Sequence, residues 1–265
     1  MSSSVPHSRH TPPPAPEGQG GGTVVVFVHG FLDSGRVWDA VGAGLRTPEV
    51  KSLALDLPGC GDRADHPGPF TLYHLAADVI SLLEGIAAPV LLVGQSMGAP
   101  VAELAAAACP EQVSGLALLT PIPMAGMHLP PEVIEQFRAP GDDPEVHRAM
   151  RRQLASALDE TALDTLVESS LRVRPEVVRA LADSWNNGLL EAPGTSDYHG
   201  PVLILTGADD PFVNAELVGA AVQVRFPGAR TAVIDGAGHW PHLERPEAVA
   251  AHLDAFLATS LTARR

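Results

Sequence analysis

The chain has 265 residues, 45% of them hydrophobic and 18% charged. That is enough apolar material for a full core and too little charge for a disordered acidic chain. Seventeen basic against 31 acidic residues give a net charge of -14, which argues against a nucleic-acid or anionic-membrane binder, because phosphate groups repel such a surface. Cys60 and Cys109 are the only two cysteines; they cannot build a disulfide scaffold and they lack zinc-ligand spacing.

Residues 1–22 are rich in Ser, Pro and Gly and carry Arg9 as their one Lys or Arg. They contain no apolar run of the ~7–15 residues that a secretory signal needs, so they are expected to form a disordered tail. No window of ~18 apolar residues follows, so no membrane span is expected, and the location expected is cytoplasmic. Thr23–Val28 is a β-branched run, the pattern of a strand buried on both faces. Val37, Trp38, Val41 and Leu45 then recur at helical spacing, and Ser52–Leu55 reads as a second strand. Thr71 is placed to cap a helix whose apolar face is Leu72, Leu75, Ala76, Val79 and Leu83. Val90–Val93 is the next strand, Met97–Ala108 a helix with Pro100 tolerated in its first turn, and Leu116–Leu119 a strand.

The alternation breaks between Pro121 and His199, where helical patterns recur near 131–138, 144–157, 160–171 and 175–187. It resumes with strands at Val202–Leu205 and Thr231–Ile234, a helix after Asn214 and a last helix opened by Pro246. This order predicts an α/β fold: a mostly parallel sheet of about six strands with helices on both faces and an inserted all-helical lid. The expected division is a tail at 1–22, a core at 23–122 and 199–265, and a lid at 123–198.

Four segments carry chemistry. Gly94-Gln95-Ser96-Met97-Gly98 lies between a predicted strand and a predicted helix, the context of a G-x-S-x-G nucleophile elbow. The serine sits on a sharp turn, and glycine two residues to either side removes side chains that would collide there. His29-Gly30-Phe31 ends the first strand; with such an elbow the oxyanion donors would be the N–H groups of Phe31 and Met97. The imidazole of His29 is expected to shape that loop. Gly207-Ala208-Asp209-Asp210 ends a later strand and offers two aspartates that could orient a histidine. Gly236-Ala237-Gly238-His239 follows the last strand, with glycines that let a loop carry His239 over Ser96; His242 reads as a surface or supporting histidine.

In this order the segments resemble the α/β-hydrolase superfamily, specifically its small lidded esterase and lactonase-like branch. The resemblance rests on VVVFVHGFLDSGRVWD, LALDLPGCGD, VLLVGQSMGAPVAELAA, VLILTGADDPFVN and IDGAGHWPHLERPEAV, which lie between residues 24 and 249. The family's G-x-x-D spacing favours Asp210 over Asp209, and Gly238, His239, Glu244 and Pro246 match its G-H-x-x-x-x-E-x-P pattern. Three departures stand out. The residues before the first strand cannot supply the family's frequent antiparallel hairpin. Cys60 takes the variable slot of the D-L-P-G-x-G turn, where it is expected to be an inert loop residue near the pocket mouth, and Asp62 stands after the turn, where members often have serine. Ala99-Pro100 follows the elbow in place of a more Gly-rich start.

The resemblance implies a Ser96–Asp210–His239 triad that cleaves a small to medium apolar ester or lactone through an acyl-enzyme, as a monomer or homodimer. No metal and no organic cofactor are expected, since H-x-H, H-E-x-x-H and strand-linked G-x-G-x-x-G patterns are missing from the sequence. His29, Gly30, Met124, Met127, His128, Trp185 and Trp240 are candidates for the substrate pocket. Carbon–carbon bond hydrolases and thioesterases share the triad and remain alternatives, as does a slow-hydrolysing receptor on the same scaffold. Lys51, the single lysine, is misplaced for a hydroxynitrile lyase, and Ser96 at the elbow excludes epoxide hydrolases and dehalogenases, which need aspartate there.

Overall fold

A computed structural model of the chain describes residues 22–190, 192 and 194–260. The expected tail, apart from Gly22, lies outside the described residues. In chain order the elements are β1 (Val24–Val28), α1 (Asp39–Gly44), β2 (Lys51–Leu55), α2 (Leu72–Glu84), β3 (Val90–Gln95), α3 (Gly98–Ala108) and β4 (Val113–Leu119). There follow α4 (Pro131–Arg138), α5 (Pro144–Leu154), α6 (Glu160–Leu171), α7 (Pro175–Asn187), β5 (Val202–Gly207), α8 (Ala215–Ala221), β6 (Arg230–Ile234), α9 (Pro241–Glu244) and α10 (Pro246–Ser260).

The six strands form one sheet in the order β2-β1-β3-β4-β5-β6, and all neighbours are parallel. Side chains alternate across it. Val24, Val26 and Val28 join a core with Leu75 of α2 and Val101 of α3, while Val25 and Phe27 join a second core with Val41 of α1 and Leu253 of α10. Strands β1, β3, β4 and β5 are buried along their whole length, which explains the apolar runs VVVFV, VLLV, LALL and VLIL within them. The edge strands β2 and β6 begin exposed, at Lys51 and Arg230.

Between β4 and β5 the chain makes four helices, α4 to α7, in which α4 packs on α7 and α5 on α6. Their starts are locally encoded. Proline opens α4, α5 and α7, where its missing N–H costs nothing. Asp143 and Asp159 cap α5 and α6 by accepting from the amides of Glu145 and Ala162. No helix among the described residues is long and apolar enough to cross a membrane.

The chain runs from β1 to β2 on one side and then returns to place β3 on the other. At such a reversal the connections leave the sheet in opposite directions, and a crevice opens beyond the strand ends. The loops that border it carry Gly30, after β1, and Ser96, after β3.

Candidate active site

Ser96 follows β3 with φ at +51°, a left-handed conformation that strains a residue with a side chain. Two hydrogen bonds hold it there: its amide donates to the Leu119 carbonyl at 3.0 Å, and its carbonyl accepts from the Ala99 amide at 3.0 Å. The flanking glycines are required by neighbours. A Cβ on Gly94 would lie 2.8 Å from the Ala102 Cβ, and one on Gly98 would lie 2.6 Å from the Val28 carbonyl oxygen. Helix α3 can therefore sit tight against β1 and β3, which turns Ser96 out over the sheet end.

His239 Nε2 lies 3.0 Å from Ser96 Oγ, and Nδ1 lies 2.8 Å from Asp210 Oδ2. All three residues are buried. Asp210 Oδ1 accepts from the amides of Phe212 and Val213 at 2.8 and 2.9 Å. Burial pushes the Asp210 carboxyl up, but the neighbouring His239 and these hydrogen bonds together hold it below the usual carboxylate value. Asp210 is thus an anion suited to orient an imidazole. Asp209 is exposed and accepts from the Ser156 hydroxyl at 3.0 Å.

The His239 backbone is anchored on three sides. Its amide donates to the Leu154 carbonyl at 2.9 Å, and its carbonyl accepts from Gln95 Nε2 at 2.9 Å and Thr120 Oγ1 at 3.1 Å. Glu244, buried, accepts from the amides of Gly238 and Trp240 in the same loop and from those of Ser156 and Ala157 just beyond α5. Gln95 and Thr120 are not singled out by the sequence, although Gln95 stands beside the nucleophile in the motif itself.

The loop after β1 passes directly beside Ser96. A Cβ on Gly30 would overlap Gln95 Oε1 and lie 3.3 Å from the Ser96 Cβ. Among the described residues, no acceptor engages the amides of Phe31 or Met97, so both are free to meet negative charge developing next to Ser96. His29 is fully buried. Its Nδ1 donates to the Gly30 carbonyl at 2.8 Å and its Nε2 accepts from the Leu57 amide at 3.0 Å, which fixes one neutral tautomer. Burial lowers its pKa. His29 pins the loops after β1 and β2 together, and neither it nor Gly30, both expected in the pocket, lines the cavity beside Ser96.

That cavity, of about 390 Å³, holds Ser96 and His239 and has an aromatic wall of Phe31, Phe137, Trp185, Phe212 and Trp240. Trp185 meets Phe31 and Phe137 edge-on, with ring centroids 5.7 and 5.3 Å apart. Phe137 from α4, Arg151 and Leu154 from α5 and Trp185 from α7 line it, so the inserted helices roof the site. Three further expected pocket residues lie elsewhere: Met124 is buried, Met127 packs half-buried on the core, and His128 is exposed. Their segment is stitched to the end of α7. The His128 amide donates to the Asn186 carbonyl, the Leu129 amide donates to Asn186 Oδ1, and a Cβ on Gly126 or Gly188 would overlap the opposing backbone.

Two other expectations need correction. His242 is fully buried, stacked on Trp38 with centroids 4.3 Å apart, and neither ring nitrogen has a partner among the described residues. Cys60 is sealed in the larger core and is absent from the cavity wall, and burial raises its thiol pKa strongly. Phe137, Phe212 and Arg151, which do line the cavity, carry no local sequence signal. Phe137 and Arg151 sit in ordinary helices far from the motifs, and Phe212, two residues after Asp210, occupies no fixed place in the G-x-x-D spacing.

The family model described as "Alpha/beta hydrolase family" matches residues 25–252. The chain belongs to the alpha/beta hydrolase family. Within this family it is 30% identical to a pimeloyl-[acyl-carrier protein] methyl ester esterase of Cronobacter sakazakii, over 88% of this chain and 91% of that one. It is 31% identical to a 2-succinyl-6-hydroxy-2,4-cyclohexadiene-1-carboxylate synthase of an Enterobacter species, with the same two coverages of 88% and 91%. Among solved structures, a thermophilic esterase from Thermogutta terrifontis superposes with a TM-score of 0.73 at 27% identity, covering 91% of each chain. Relatives of equal likeness are thus named for an esterase and for a synthase, and within the alpha/beta hydrolase family the site has to choose between them.

Proposed function

We propose that the chain is a serine hydrolase that cleaves carboxylic esters through an acyl-enzyme, with Ser96 as nucleophile, His239 as general base and Asp210 as the carboxylate that orients it. The observation that carries this reading is the unbroken relay from Asp210 Oδ2 through His239 to Ser96 Oγ, at 2.8 and 3.0 Å. The likeness to two esterases supports the choice of an ester as substrate.

In the first half-reaction His239 Nε2 takes the Ser96 proton as Oγ attacks the acyl carbon. The carbonyl oxygen becomes an oxyanion and accepts from the amides of Phe31 and Met97. Collapse breaks the bond to the alcohol oxygen, which collects the proton from His239. In the second half-reaction water attacks the acyl-Ser96 ester with His239 again as base, and the acid leaves. The aromatic wall favours an apolar acyl group of small to medium size, and the helices of the 123–198 segment act as the lid that sets this limit.

The test is labelling and turnover together. Wild type reacts with a fluorophosphonate at Ser96 and turns over p-nitrophenyl esters repeatedly, whereas Ser96→Ala does neither. Retained labelling in Ser96→Ala places the nucleophile elsewhere. A burst without further turnover points to a slow-hydrolysing receptor, and preference for a vinylogous diketone over every ester points to a carbon–carbon bond hydrolase.

A further inference from the structure

A second cavity, of about 540 Å³, adjoins the one that holds Ser96. Phe31, Phe137, Arg151, Leu154 and Trp240 line both, so the two cavities meet at these side chains. The first cavity is walled mainly by aromatic rings; the second adds Gln136, His147 and Gln153.

Arg151 is the cation at this boundary, and its side chain is 10% exposed. Its Nη2 lies 3.1 Å from Asp33 Oδ1 and donates to the Phe31 carbonyl at 3.4 Å, and the guanidinium stands 5.0 Å from the Trp240 ring centre. Asp33 also accepts from Trp240 Nε1 at 3.1 Å. Among the described residues no acceptor engages Arg151 Nε or Nη1, and neither is among the polar atoms sealed off without a partner. These donors therefore keep access to open space, and a cation buried this deeply costs stability unless its donors are satisfied.

The occupant follows from charge and from place. Asp33 already neutralises Arg151, so a carboxylate brought to the guanidinium would meet the Asp33 charge without a second cation to offset it, whereas a carbonyl oxygen would add no charge. The second cavity is flanked by Trp240, which follows His239, and by Leu154, whose carbonyl holds the His239 amide. Both residues line the first cavity as well, so the two cavities meet beside the loop that carries His239, the group that hands its proton to the leaving alcohol. We propose that the second cavity is a subsite for the alcohol half of the ester, and that Arg151 there binds a neutral carbonyl oxygen carried by that half. The substrate class is an ester whose alcohol bears a ketone, amide or second ester group. The proposal rests on the ester-hydrolase reading above.

The experiment compares three butanoate esters of similar length: that of pentan-1-ol, that of 5-hydroxypentan-2-one and that of 4-hydroxybutanoic acid. Butanoate release is followed with wild type, Arg151→Met and Arg151→Lys. One charge-assisted hydrogen bond predicts that wild type favours the keto ester over the alkyl ester by about tenfold or more in kcat/KM. That ratio falls toward one in Arg151→Met and is partly restored in Arg151→Lys. A structural role lowers both esters together and leaves the ratio unchanged, which overturns the proposal. So does a wild-type preference for the carboxylate ester, or no preference at all. If wild type hydrolyses none of the three and Ser96 escapes the fluorophosphonate, the hydrolase reading itself has failed; Ser96 labelling with turnover but no preference removes the subsite alone.

Discussion

His242 is buried, stacked on Trp38 and without a hydrogen-bond partner among the described residues for either ring nitrogen. Burial first, and then repulsion from His239 and His29, lower its pKa from 6.5 to about 3. In the unfolded chain the same ring takes up a proton below pH 6.5, while in the folded protein it stays neutral until about pH 3. Its contribution to stability is therefore complete above pH 6.5 and is lost as the pH falls toward 3. Integrating proton uptake between these two values gives a loss of about 2 kcal/mol between pH 7 and pH 5 from this one residue. His242→Phe keeps a ring against Trp38 and sacrifices no hydrogen bond. It is expected to be at least as stable as wild type at pH 7. On moving to pH 5 it should lose about 2 kcal/mol less than wild type. Urea titrations of both proteins at the two pH values measure this difference directly. The other ionisable groups are common to both proteins, so the difference reports the buried ring together with its repulsion from His239 and His29. Equal losses in the two proteins would refute the reasoning, because they would mean that the buried ring is already protonated or that water reaches it.

Two further outcomes concern the candidate site. Asp210→Asn keeps an acceptor for the Phe212 and Val213 amides but removes the charge facing His239, so kcat should fall by about 10³–10⁴ with the fold intact by circular dichroism. Glu244→Ala leaves the amides of Ser156, Ala157, Gly238 and Trp240 without their acceptor. It should cost at least about 3 kcal/mol in urea unfolding; a cost below about 1 kcal/mol would mean that water replaces the carboxylate.

Where the sequence is locally self-sufficient, the structure follows it. The buried strands show as short apolar runs, β-branched in β1, and three of the inserted helices announce themselves by a proline in the first turn. Strand β4 starts at Val113, ahead of the expected Leu116, because Ser114-Gly115 reads as a turn and only pairing with β3 recruits it. The Ser114 hydroxyl even donates to the Val90 carbonyl across that pair. The same division runs through the site. Ser96, Asp210 and His239 each stand in a short motif at a strand end, so their convergence can be read from chain order. Asp33, Arg151 and Trp240 meet from three distant segments with no spacing that links them. Met127 and His128 follow β4 closely enough to suggest the pocket, yet the close approach of Gly126 and Gly188 ties them to the far end of α7.

Glu244 also marks where this protein could be recombined. Anyone exchanging the helical roof with that of a relative would be tempted to cut anywhere between β4 and β5, since both strands continue into the sheet on either side. The carboxylate makes one stretch of that interval non-transferable. Leu154 holds the His239 amide, and Ser156 and Ala157 share Glu244 with the histidine loop. A chimera that replaced residues 154–157 would import a new roof and detune the imidazole in the same step. One that kept this stretch and varied α4, α6 and α7 around it would change what enters the cavity while leaving the relay in register.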